Sequence, residues 1–203
     1  MKRALGILLP GTDSHEVRFA SRPTSTGRVV GLASDGKHRF SKSGRNSLTF
    51  VEGIGVEDDA HAGPFVRHRY LARRSPKMPN LRQVHLIRSE LLEELRTKDF
   101  DLSPGDLGEN VLTADIKLES LPFGTTLKLG AATVVEITGL RTPCILIERF
   151  KSGLKQRLIN PGSGDPPFRC GVMGIVRSGG QVTVGDHVEV KFPRKPWTSL
   201  PAL

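Results

Sequence analysis

Two cysteines stand in the 203-residue chain, and one of them has neighbours that could present a reactive sulfur. Cys144 lies in GLRTPCILIERF (139–150), three residues after Arg141 and five before Arg149, with Pro143 fixing the backbone just ahead of it. A free thiol ionises near pH ~8.5, so the thiolate needed for nucleophilic attack or metal ligation forms near neutral pH only beside positive charge. Soft thiolate sulfur also suits thiophilic metals. The opposing reading is packing, since cysteine is among the most buried residue types and CILI could be pure core. Spacing alone leaves both open, with packing the commoner outcome. Cys170, in FRCGVMGIV, enters an apolar strand without a partner segment at metal-ligand spacing and reads as core.

Two further segments carry chemistry-bearing side chains. In GVEDDAHAG (55–63), Glu57, Asp58, Asp59 and His61 fall within five residues between glycines. A carboxylate beside an imidazole can fix its tautomer, and such a cluster could take a metal, although acidic residues in a glycine-bounded turn are more often solvated or capping. In PGDLGENVLT (104–113), Gly105 and Gly108 would let the backbone approach a ligand, and Asn110 offers a donor and an acceptor for reading a heterocycle. An ordinary loop with Asn110 bonded to its own backbone is the plainer alternative. Walker loops, serine elbows, GxGxxG turns, zinc-protease histidine spacings and flavin or haem patterns are not found in the sequence.

The charge is uneven, and a solvated basic surface is as fair a reading of it as an anion site. The formal net charge is +9, and residues 1–50 and 67–98 each hold nine basic and three acidic side chains. Two such segments could meet around a phosphate ester or contact nucleic acid. One Trp, one Tyr and nine scattered Phe make a poor stacking platform, which counts against a nucleic-acid partner.

The elements that must position these residues are mostly strands. With 37% hydrophobic residues but only 5% aromatic ones, the core must be aliphatic. The 22 glycines and 14 prolines imply frequent turns. Short β-branched runs (RVVGLA, TTLKLG, ATVVEITGL, GVMGIVRSG, QVTVGD, HVEVKFP) are separated by Gly or Asp. LKLGAATVVEI predicts a hairpin, and VRSGGQVTVGD a second one turning at Gly179-Gly180. One prominent helix is expected over 80–97, capped by Asn80, with Leu81, Val84, Ile87, Leu91, Leu92 and Leu95 on one face. The expected fold is mainly β with a few helices (α+β), a partly closed β-barrel. Residues 1–26 read as a weakly patterned extension, 27–192 as the domain, and 193–203 as a surface tail. The short apolar run near the start is cut by Pro10-Gly11, and no stretch approaches a membrane span, so a cytoplasmic protein away from membranes is expected.

Taken together, the three segments resemble the MOSC family, the domain shared with the C-terminal part of molybdenum-cofactor sulfurases. GVEDDAHAG resembles its G-[IV]-x-G-D-x-H-x-G segment, GDLGENVLT its G-x-[FL]-G-E-N-[LIV] segment, and GLRTPC its R-x-P-C segment. Their order and separations fit, as do the helix between the first two and the closing GGQVTVGD. The resemblance covers about 27–192 and implies a MOSC-type barrel holding the molybdenum cofactor (molybdopterin). It implies Cys144 as the thiolate that ligates molybdenum or carries sulfur, and Asn110 beside the pterin. Arg141 and Thr142 would hold the pyranopterin and its phosphate, His61 would line the same pocket, and Lys42 is a looser phosphate ligand. The implied activity is reduction of small N-hydroxylated substrates, with electrons from a separate donor protein because the chain has no electron-transfer motif of its own. The alternative is a sulfur carrier or cofactor-binding protein with a Cys144 persulfide and no turnover. Two departures stand out. Asp58 occupies a position where the family has glycine, which would alter the loop and repel a phosphate, and Pro64–Pro79 differs from the relatives at the expected substrate mouth.

Overall fold

The computed structural model describes residues 26–66, 75, 77–160, 162 and 166–203. The expectations for the N-terminal extension, and for most of the basic stretch after Val66, lie outside the described residues.

Period-two alternation builds the barrel wall. In β11 (His187–Lys191), Val188 and Val190 are buried while His187, Glu189 and Lys191 face out. β7 (Thr126–Leu129) likewise buries Leu127 and Leu129. These strands join β1 (Thr26–Ser34), β8 (Thr133–Leu140), β9 (Val172–Ser178), β5 (Val84–Arg88) and β6 (Val111–Ala114) in the order β1-β11-β7-β8-β9-β5-β6, and β6 pairs back onto β1. The sheet is therefore a fully closed barrel of seven strands, which leaves no edge among them. Every pairing around it is antiparallel except β5–β6, which runs Leu86↔Val111 to Arg88↔Thr113 in parallel. That parallel step requires a crossover, supplied by helix α1 (Ser89–Arg96) and the loop after it. The predicted hairpin at 126–140 is present, with Leu129↔Thr133 at its turn.

A short strand β2 (Ser43–Arg45) extends β1 beyond the barrel rim. β3 (Ser47–Val51), β4 (Gly55–Val56) and β10 (Gly180–Thr183) make a separate sheet in the order β10-β3-β4. The hairpin expected at Gly179-Gly180 does not form. β10 leaves β9 and pairs with β3, Gln181 opposite Thr49, and the glycines are needed because the chain passes the Phe50 carbonyl too closely for a side chain at Gly179.

The helix is shorter than its spacing predicts. Only Ser89–Arg96 is helical, burying Leu91, Leu92 and Leu95, whereas Val84–Arg88 is barrel strand. Val84 and Leu86 enter the barrel core, and Ile87 faces the outer cluster with α1. A strand buried on both faces shows no alternation, and its apolar run fused with that of the helix. Asn80 caps nothing. Its amide donates to the His61 and Gly63 carbonyls at 2.9 and 3.0 Å, and its oxygen accepts the Arg82 N–H, tying the 55–63 loop to the approach into β5.

The outer cluster also holds Leu102, Leu107, Leu112, Ile147, Leu154, Leu158 and Cys170, with Cys144, Phe40 and Phe150 packed against it. It involves two short helices, α2 (Ile145–Phe150) and α3 (Leu154–Arg157). The tail is not a simple surface strand. Leu200 belongs to the barrel core, and residues 201–203 bond along Leu140 and Thr142, with Leu140 N–H to Pro201 O at 2.8 Å and Leu203 N–H to Leu140 O at 2.9 Å. No helix among the described residues is long and apolar enough to cross a membrane.

Candidate functional site

One end of the barrel gathers five loops. The β1–β2 loop brings Lys42, the loop after β4 brings His61, the approach to β5 brings Asn80 and Arg82, the loop before β6 brings Gly108 and Asn110, and the loop after β8 brings Arg141 to Cys144. Together with His85 of β5, Met173 of β9, Arg39, Phe40, Val66 and Leu146 they enclose about 160 Å³. All six residues singled out from sequence, Lys42, His61, Asn110, Arg141, Thr142 and Cys144, line this one cavity. A larger, more open depression of about 620 Å³ lies at the other end. Its arginines are already paired, Arg28 with Asp115 and Arg88 with Glu94 and Glu119, so it offers an anion little.

The centre of the arrangement is Asp59, whose carboxylate side chain is fully buried. Its Oδ2 accepts from Lys42 Nζ at 2.7 Å, Asn110 Nδ2 at 3.0 Å and Asp35 N–H at 3.5 Å. Its Oδ1 accepts the His61 backbone N–H at 3.0 Å and lies 3.3 Å from His61 Nδ1. Burial alone would raise this carboxyl, but the His61 hydrogen bond and the Lys42 charge outweigh it and hold it well below the usual carboxylate range. Burial pulls the Lys42 ammonium below its usual range even though Asp59 opposes that shift. Lys42 is thus an internal counter-ion, 4% exposed at its side chain, rather than a cation open to the cavity.

Asp58, one residue earlier, is exposed and lines no part of the cavity. Its φ is 58°, the left-handed conformation that glycine adopts freely and aspartate tolerates better than most residues. The turn geometry therefore persists, and the carboxylate that points inward is Asp59.

Asn110 is 1% exposed and fully committed within the protein. Its amide donates to Ala33 O and Asp59 Oδ2, and its oxygen accepts the His85 N–H. It holds Asp59 in place rather than offering free groups to a heterocycle. Gly105 and Gly108 have φ of 92° and 80°. Side chains there would meet not a ligand but the chain itself, since a Cβ would lie 2.4 Å from Lys42 O at Gly105 and 2.6 Å from Phe40 O at Gly108. The close approach they permit is the one that delivers Lys42, whose N–H bonds Gly105 O at 2.9 Å.

Cys144 is half-buried between the cavity and the outer cluster. The three apolar residues after it do not act as a common anchor. Ile147 is buried, but Ile145 and Leu146 are 55% and 45% exposed, and Leu146 lines the cavity. Thr142 donates its hydroxyl to Leu203 O, and its N–H bonds the same oxygen at 3.1 Å, so the tail braces the loop that carries the thiol. Arg149 is exposed and is not among the lining residues.

Arg141 reaches beneath the cavity and donates through Nη1 to Cys170 Sγ at 2.7 Å. Cys170 is fully buried, as its apolar context predicts, and burial raises its thiol although Arg141 pulls the other way. A neutral sulfur gives the guanidinium no counter-ion, and the carboxyl that feels its charge is the buried Glu109. Arg82, unremarked in the sequence beyond its basic segment, faces the same space. Burial and the charge of Arg141 both pull the pKa of its guanidinium below the ordinary range, which marks two cations held near each other. Neither arginine has a carboxylate partner among the described residues. Glu109 lies behind the wall, 1% exposed, one oxygen accepting the Gly105 N–H at 2.5 Å and the other unpartnered, and burial raises its carboxyl.

His85 is buried, with Nε2 2.9 Å from Cys170 O. Burial, then the Arg141 charge, push its pKa well below the ordinary value, so it stays neutral in the fold. The unfolded chain takes up that proton below pH ~6.5, so this residue costs stability as pH falls through that range. Burial of Glu109 and Glu119 acts in the opposite sense nearer pH ~4.5, so the His85 effect is read as a difference between proteins. The stability advantage of wild type over His85→Gln shrinks on going from pH 7 to 5, by up to about 1.4 kcal/mol per pH unit in urea titrations. A pH-independent difference would show that His85 takes up its proton in the fold as readily as in the unfolded chain.

The comparisons agree with this architecture. The YuaD protein from Bacillus subtilis superposes with a TM-score of 0.67 at 24% identity, covering 83% of this chain and 97% of its own. YiiM from Escherichia coli gives 0.57 at 18% identity, over 84% of this chain and 73% of its own. At these identities the likeness speaks for the fold. No curated protein matches significantly. The MOSC domain model matches residues 58–189, which spans the Asp59–His61 turn, the loop before β6 and the Cys144 loop. The chain therefore belongs to the MOSC domain family, whose members are associated with the molybdenum cofactor.

Proposed function

We propose that the protein binds the molybdenum cofactor in this cavity, with Cys144 as metal ligand, and reduces small N-hydroxylated compounds using electrons from a separate donor protein. The observation that carries the reading is a half-buried thiol lining one cavity with two arginines, Arg82 and Arg141, that have no carboxylate partner among the described residues. Two like charges held together in a partly desolvated pocket are unfavourable unless an anion joins them.

The donor set fits the group. Cys144 offers the soft sulfur that suits molybdenum, and Arg82 and Arg141 offer planar donors that suit a phosphate. The enclosed 160 Å³ is below the roughly 300 Å³ lower bound of ordinary small-molecule pockets, so the cavity grips one end of such a ligand while the remainder extends past the rim. When bound, the molybdenum centre would supply the two electrons that cleave the substrate N–O bond. The rest falls to the chain. Asn110 and Lys42 fix Asp59, Asp59 fixes His61, and Thr142 with the tail braces the thiol loop. Leu146, Val66, Phe40 and Met173 supply apolar walls that exclude water from one side.

Molybdenum and pterin per chain, measured on protein purified from a cofactor-competent host, test the reading. Wild type should carry both, and Cys144→Ser should lose most of its molybdenum. Wild type without molybdenum would sink the proposal, and equal metal in both proteins would remove Cys144 as a ligand. A persulfide on Cys144 without metal would establish the sulfur-carrier alternative instead.

A further inference from the structure

We infer that His61 is the proton donor of the reaction, delivering its proton from Nε2, with Asp59 as the positioning residue that fixes which nitrogen does so. The inference rests on the reductive reading above, and it starts from hydrogen-bond chemistry. An ionised carboxylate can only accept, so the Asp59–His61 contact at 3.3 Å requires the proton to be on Nδ1. The imidazole then keeps Nδ1–H in both of its protonation states, and Nε2 alone gains and loses a proton. Nε2 projects from the opposite edge of the ring, away from the buried carboxylate, and has no partner among the described residues. The His61 side chain is 37% exposed, so the proton can be replaced from solvent between turnovers.

Among the described residues, every other titratable group facing this space is occupied or unsuitable. Lys42 is buried in its ion pair with Asp59. His85 has its Nε2 against the Cys170 carbonyl. Arg39, Arg82 and Arg141 line the cavity but do not release protons near neutral pH. Glu109 lies behind the wall and is not a lining residue. Cys144 is assigned to the metal. His38 packs edge-on against the His61 ring, with centroids 5.3 Å apart, and Asn80 donates to the His61 carbonyl, so both fix the ring's location rather than compete for its role.

The chemistry needs such a donor. An N-hydroxylated substrate R–NHOH takes up two electrons, supplied by the donor protein, and two protons, and yields R–NH₂ and water. The N–O bond breaks, one N–H bond and one O–H bond form, and the substrate nitrogen is reduced while the donor protein is oxidised. Expelling hydroxide unprotonated would be slow at neutral pH, and a positioned acid commonly contributes about 10²–10⁴-fold. His61 Nε2–H supplies the proton to the departing oxygen, water supplies the one that the nitrogen takes up, and the resulting neutral imidazole keeps its Nδ1–H on Asp59.

Two measurements test this separately from cofactor binding. On the protein without cofactor, ¹⁵N NMR of the histidine rings, with the His61 signals assigned by their absence in His61→Gln, should show Nδ1 protonated. Asp59→Asn should weaken that preference, and an unprotonated Nδ1 in wild type overturns the inference. On the loaded protein, His61→Gln should keep molybdenum, pterin and KM near wild type while kcat falls roughly 10²–10⁴-fold. Added imidazole should restore part of the kcat of His61→Gly. A loaded His61→Gln with wild-type kcat overturns the donor role alone. A wild type that holds no molybdenum overturns the functional reading and the donor role with it, whatever the tautomer.

Discussion

Asp59→Ala should lower the stability of the fold by about 3–5 kcal/mol, read as a fall in the urea midpoint at pH 7. The loss arises less from the missing carboxylate than from what it leaves behind. Lys42, Asn110, His61 and the Asp35 N–H all direct donors at its two oxygens, and the Lys42 ammonium has almost no water to turn to. The contribution has a pH signature. Because the folded carboxyl is depressed, its stabilisation is complete above the unfolded value near pH ~3.9 and is lost as the pH falls towards the folded value. Adding Lys42→Met to Asp59→Ala should recover part of the stability, since the stranded charge leaves too. A double variant no more stable than Asp59→Ala would mean that the ammonium finds water or another partner, and that the pair is not the keystone of the site.

Gly105→Ala should cost roughly 2–4 kcal/mol and disturb the site although residue 105 does not line the cavity. With φ at 92°, a side chain is strained even in open space. Here the added Cβ would also lie 2.4 Å from the Lys42 carbonyl oxygen and 2.8 Å from Ala33 Cβ. Neither is the far end of a flexible side chain, so the β1–β2 loop must move, and Lys42 moves with it. Gly44→Ala is the control, because a side chain there would meet nothing within 4 Å, and it should change stability by less than about 0.5 kcal/mol. Equal melting temperatures for Gly105→Ala and wild type would show that the two loops do not approach as described.

The barrel was legible where one face is wet. Val188 and Val190 alternate with charged residues, and the turn between Leu129 and Thr133 is marked by Gly130. It was illegible where both faces are dry, as in Val84–Arg88, which mimicked the first turns of the helix that follows. The detour of β10 into the second sheet depends on the Phe50 carbonyl, about 130 residues away in sequence, and no local pattern carries that information. At the site, residue types were readable but their employment was not. Asp58 and Asp59 are neighbours of the same kind, and only the backbone turn decides which of them points inward. Asn110 and Lys42 looked like groups free for a ligand, because the partners that occupy them are brought from distant segments. Arg82 was visible only as one charge in a basic segment. Its exposure to the cavity follows from Asn80, which anchors the preceding turn onto the 55–63 loop.

The bracing of Thr142 by Leu203 bears on how the protein is handled. An affinity tag fused after Leu203 begins one peptide bond from the oxygen that accepts both the hydroxyl and the N–H of Thr142, two positions before Cys144. A purification handle at that end would tug directly on the loop that carries Cys144, and cofactor content measured on such a fusion would reflect the tag as much as the cavity.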